Sequence, residues 1–168
     1  NNGTTKPDWT KFVEPNMYTW EFIDGASNKE LFFIVQLPHD YKEGSTIYPH
    51  VHWSSKVAAG TQRIKWVLTY QWVNHTENFA ATSSGSASGD TLAGANPSRS
   101  VNAYEHVITP LGSGIGGTGK KISSILMCRL YRDGSDTTND NFTGSGFLLS
   151  FDFHYEIDSF GSDSEYTK

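Results

Sequence analysis

Two histidines one residue apart, His50-Val51-His52, are the most chemically specific feature of the sequence. Alternate side chains of a strand share a face, so an extended segment here turns both imidazoles to one side and Val51 to the other. Paired imidazoles joined by a carboxylate are a donor set suited to zinc, iron or manganese. Asp152 and His154 repeat the two-residue spacing near the C-terminus. If the two segments lie side by side, His50, His52, His154 and Asp152 form a candidate metal site. The preferred account is plainer: His50 and His52 hydrogen-bond to Asp152 or Glu156, or stack at a subunit interface, and no cofactor is expected.

Other arrangements carry less. Ser123, Ser124, His106 and Asp152 make a triad on paper, but no nucleophile-elbow sequence frames either serine. Asp152 and Glu156 share a face, and a sugar-cleaving carboxylate pair needs a set separation across a cleft, so surface charge is the simpler reading. The run Gly112 to Lys120 resembles a phosphate loop only loosely. Lys120 is followed by Lys121 rather than Ser or Thr, and the next segment alternates as a strand, so a flexible hairpin connection is expected. Cys128 is the single cysteine and alternates with Ile122, Ser124, Leu126 and Leu130, which predicts a buried, inert thiol and excludes an intrachain disulfide. With no catalytic residues identified, a non-enzymatic protein is expected.

The elements that must position these residues read as strands. From Gly146 to Asp158 the chain alternates, with Phe147, Leu149, Phe151, Phe153, Tyr155 and Ile157 on one face and Asp152, His154 and Glu156 on the other. Residues 47–53 place Ile47, Val51 and Trp53 opposite Tyr48, His50 and His52; Pro49 predicts an edge strand or a bulge. Residues 63–73 turn Ile64, Trp66, Leu68, Tyr70 and Trp72 one way. Residues 30–37 are apolar on both faces, which predicts a core side and an interface side carrying Phe32 and Ile34. Arg129 is expected to pair with a carboxylate across strands or across a subunit contact, its face being complementary to that of Asp152 and Glu156. Further strands are expected at 9–13, 18–23, 104–109 and 120–132. Residues 80–103, rich in Ser, Gly, Ala, Thr and Asn, read as one long exposed loop.

About eight strands and no helical period predict an all-β fold, a jelly-roll-like antiparallel β-sandwich with long loops. The 168 residues fit one domain, with residues 1–17 as an N-terminal arm and first strand and 18–168 as the sandwich. A net charge of -5 argues against a nucleic-acid partner. No apolar run is long enough to span a bilayer, so no membrane partner is expected.

Four blocks in order carry a family resemblance: 30–44 (ELFFIVQLPHDYKEG), 49–53 (PHVHW), 119–133 (GKKISSILMCRLYRD) and 147–156 (FLLSFDFHYE). Over roughly Tyr18 to Lys168 the chain resembles a family of virion-associated proteins of tailed bacteriophages and prophages. The resemblance implies a location in the virion, on the particle surface, and brings no catalytic residues with it. Its expected role is a capsid-associated decoration protein assembling as a symmetric oligomer, a homotrimer, with other capsid or tail proteins as partners. A tail-fibre or host carbohydrate-binding module using Trp20, Trp53, Trp66 or Trp72 is the first alternative. A cupin-like metalloenzyme is the second, although the stretch after His52 lacks the carboxylate that cupins place there.

Overall fold

The computed structural model describes residues 5–25, 28–81, 84–91 and 100–168. Among them are nine strands and no helix: β1 (Asp8–Val13), β2 (Met17–Phe22), β3 (Glu30–Gln36), β4 (Tyr48–Ser54), β5 (Lys65–Val73), β6 (Gly85–Asp90), β7 (Val107–Pro110), β8 (Ile125–Arg132) and β9 (Gly146–His154). They form a five-stranded sheet, β1-β2-β9-β4-β7, and a four-stranded sheet, β3-β8-β5-β6. Every pairing is antiparallel. The two sheets pack as a sandwich, and the order β2-β9-β4-β7 over β3-β8-β5-β6 is compatible with a jelly roll.

The core lies between the sheets and is filled by the faces that alternation assigns to it. Val51 and Trp53 of β4 meet Trp66 and Leu68 of β5 and Leu126 and Leu130 of β8, all fully buried. Trp53 and Trp66 sit with centroids 6.4 Å apart, and Phe22 meets Trp66 edge-on at 5.0 Å. Buried indoles need an acceptor: Trp53 Nε1 donates to Thr109 Oγ1 at 2.9 Å and Trp72 Nε1 to Ser124 Oγ at 2.8 Å. Cys128 is buried here, and burial pushes its thiol up to about 12.

Four features depart from the sequence reading. β4 is not an edge strand, for it lies between β9 and β7; Pro49 still accepts from the Leu111 amide through its carbonyl at 2.9 Å. The irregularity of β4 falls further on, between His52 and Trp53, where the partner on β9 jumps from Ser150 to Leu148. That extra residue reverses the face of everything before it. Leu148 therefore enters the core, Leu149 faces solvent, and Phe147 turns to the outer side, where it packs on Phe12 at 5.1 Å under the Lys56 ammonium. β6 lies within the segment read as one loop, pairing with β5 from Lys65↔Asp90 to Tyr70↔Gly85; residues 82–83 and 92–99 of that segment lie outside the described residues. The glycine run 112–120 is tied down rather than free: Ile115 and Ile47 exchange backbone hydrogen bonds at 2.8 and 3.0 Å, and a Cβ on Gly117 would fall 1.9 Å from the Ser45 carbonyl oxygen.

Within the segment 1–17, β1 is the first strand and forms a hairpin with β2 on the sheet edge, with Trp9 opposite Trp20; residues 1–4 lie outside the described residues.

Candidate functional site: a histidine–aspartate cluster and an apolar sheet face

β4 and β9 run antiparallel with His50 directly opposite Asp152 and Tyr48 opposite His154. The register puts the outward residues of both strands on one surface. His50 Nε2 lies 2.5 Å from Asp152 Oδ1, and His52 Nε2 lies 3.4 Å from Asp152 Oδ2. One donor atom from each of the three residues falls within 4.8 Å of the other two. The second contact does not complete a hydrogen bond, so His52 Nε2 is shielded from solvent and has no hydrogen-bond partner.

Each ring is also held on its far nitrogen. His50 Nδ1 lies 3.4 Å from the Tyr48 carbonyl oxygen, which can only accept. His52 Nδ1 lies 2.7 Å from His106 Nε2, with the two rings stacked at 4.9 Å. His106 sits just before β7, which pairs with β4, and no spacing or motif joins it to His52 in advance. Burial lowers the His52 pKa; the Asp152 carboxylate opposes this, while His50 and His106 push it lower still. His154 packs edge-on against His50 at 4.4 Å, beside the three converging groups rather than among them. Tyr48, Ile108, Pro110 and His154 wall a recess of about 290 Å³ over the cluster.

The remaining polar candidates are held elsewhere. Glu156 pairs with Lys42 at 2.7 Å, not with a histidine. Ser124 is buried under Trp72, and Ser123 Oγ lies 2.8 Å from His39 Nε2, so neither serine meets His106 or Asp152. His39 Nδ1 is buried without a partner, and nothing orients that ring as a general base. Arg129 pairs with Glu30 on β3 and stacks over Tyr131 at 4.3 Å. It lies in the opposite sheet from Asp152, so the expected complementarity with the Asp152 face is not made. Arg132, by contrast, is buried. Its guanidinium takes both oxygens of the buried Asp140 at 2.8 and 2.6 Å and donates to the carbonyls of Phe142 and Gly144.

The outer face of β3 and β8 carries exposed apolar side chains among polar ones. Phe32 on β3 is opposite Arg129 on β8, Ile34 opposite Met127, and Gln71 of β5 lies on the other side of Met127. Phe32, Ile34, Met127 and the nearby Phe79 are 54%, 64%, 49% and 47% exposed. Together with Tyr70 and Thr69 they line a groove of about 650 Å³. Of the tryptophans named as sugar platforms, Trp53, Trp66 and Trp72 are buried and Trp20 is half-buried. An exposed ring is found instead at Trp9, which stacks with Tyr18 at 6.5 Å.

Compared with protein-family models, curated proteins and solved structures, the chain matches none.

Proposed function

We propose that this protein is a non-enzymatic structural component of a tailed-bacteriophage particle, a capsid-associated decoration subunit that assembles with copies of itself into a closed symmetric oligomer, a homotrimer. The observation that carries the self-assembly is the outer face of β3 and β8. Phe32, Ile34 and Met127 are large side chains on adjacent strands, each about half exposed or more. Contiguous apolar surface of this kind is costly to leave in water and marks a surface that another molecule covers. A second copy is the occupant proposed. Arg129 and Glu30, already paired at its margin, would form the polar rim of such a contact. The phage setting rests on the four sequence blocks, and a sandwich of jelly-roll type is an architecture shared by viral shell proteins.

Light scattering on the full chain tests the assembly. A homo-oligomer that Ile34→Glu converts to a folded monomer supports it; a wild-type monomer refutes it. A second reading, a host carbohydrate-binding module, is favoured by Trp9 and Tyr18 on the β1–β2 hairpin, where an exposed ring pair offers a stacking platform. Binding of a surface glycan that Trp9→Ala abolishes would favour it over the decoration role.

A further inference from the structure

We propose that His50, His52 and Asp152 bind one first-row divalent metal ion, of which zinc is the best fit, with His106 as the positioning residue of His52. The inference stands apart from the assembly reading, since it concerns the opposite sheet.

A carbonyl oxygen only accepts, so the 3.4 Å contact from His50 Nδ1 to Tyr48 fixes the N–H on Nδ1. His50 Nε2 then faces Asp152 Oδ1, 2.5 Å away. His52 repeats the pattern. In the tautomer whose Nδ1–H donates to His106 Nε2, 2.7 Å away, the His52 Nε2 lone pair also faces the carboxylate. Two ring nitrogens and a carboxylate converging on one point are well matched by a positive charge between them. A proton on each ring can meet a separate oxygen of Asp152, but the His52 contact, at 3.4 Å, does not complete such a bond. A single divalent cation serves both rings and gives the shielded His52 Nε2 a partner.

The dimensions agree. Tetrahedral zinc with bonds of about 2.0–2.1 Å holds neighbouring donor atoms about 3.3 Å apart. His52 Nε2 and Asp152 Oδ2 are already 3.4 Å apart. The His50–Asp152 pair, at 2.5 Å, has only to open by under about 1 Å, and Asp152, 49% exposed, is free to move. Anchoring of the outer ring nitrogen by a carbonyl or another polar group is the supporting layer that metal-binding histidines use. Three protein donors beneath the recess of about 290 Å³ leave a fourth position open to water or to an anionic group.

The test uses the full chain stripped with chelator and titrated with Zn²⁺ in a calorimeter and with Co²⁺ by visible absorption. One Zn²⁺ per chain is expected, with Co²⁺ giving the intense bands of low coordination number. Asp152→Asn, an isosteric change at a half-exposed position that folding tolerates, should weaken binding by about a hundredfold or more, and His106→Ala by about tenfold. Absence of stoichiometric binding overturns the proposal. So does binding that Asp152→Asn and His52→Gln leave unchanged, which would place the metal elsewhere.

Discussion

On the outer face of the five-stranded sheet, β4 and β9 turn out His50, His52 and Asp152. On the outer face of the four-stranded sheet, β3 and β8 turn out Phe32, Ile34 and Met127. Both rows are the second face of strands whose first face fills the same core. The polar row is compact: its donors converge within 4.8 Å beneath a small recess. The apolar row is broad and its groove is more than twice as large. The first arrangement suits a small cation, because its donor atoms converge on one point. The second calls for a surface, because apolar area is relieved only by area. A sandwich of this kind can assign two kinds of recognition to its two outer faces without compromising the core.

Substitutions that strike one face, the other, or neither separate these roles. The largest loss of stability should come from neither face. Asp140→Ala leaves the buried Arg132 guanidinium with only the more distant Asp24 carboxylate, at 3.5 Å, and should cost about 3 kcal/mol or more in denaturant unfolding. On the apolar face, Ile34→Glu should abolish self-association while leaving the unfolding midpoint of the monomer nearly unchanged, because Ile34 contributes little to the core. On the polar face, His52→Gln should remove the metal without changing the mass of the oligomer. If it also dissociates the oligomer, the two faces are coupled and the division of labour fails.

The smallest effect expected is on pH dependence. Asp136 is held below the usual carboxyl range by hydrogen bonds from Asn139 and from the Lys65 ammonium. Asp133 is held low as well, with hydrogen bonds from Ser135 and Lys65 outweighing the opposing effect of burial. Both are more acidic in the folded chain than in the unfolded one. Their stabilisation is complete above the unfolded value near 3.9. It is lost as pH falls through that value towards the folded pKa values, because the unfolded chain takes up protons first. Asp136→Asn should therefore lower stability at neutral pH and make the acid limb of a stability–pH curve shallower, the difference from wild type vanishing at low pH.

Much of this was legible in the sequence where side chains alternate strongly. Val51/Trp53 against His50/His52, and Trp66, Leu68 and Trp72, fall on the faces read for them. β6 was hidden because Gly85-Ser-Ala-Ser-Gly-Asp90 has no apolar face to announce it. It is held by its ladder to β5, and glycine at 85 is what lets the Tyr70 ring lie across the strand, since a Cβ there would fall 2.4 Å from that ring. The reversal at Leu148 and Leu149 was hidden for another reason. A bulge is set by the partner strand, and Leu148 and Leu149 are equally apolar, so the sequence shows no break in pattern. The opposition of His50 and Asp152 followed from faces plus one assumption of adjacency. His106 and the Arg132–Asp140 pair did not, because each joins a strand to a residue in a polar connection whose path the sequence does not reveal.

Native mass spectrometry of the full chain, alongside Ile34→Glu and with Zn²⁺ added to both, tests the central claim most directly. The expected result is a wild-type homo-oligomer with one zinc per subunit, and a monomeric variant that still carries one zinc. A wild-type chain that is monomeric at every concentration, or a variant that stays oligomeric, would contradict the assignment of self-assembly to the β3–β8 face.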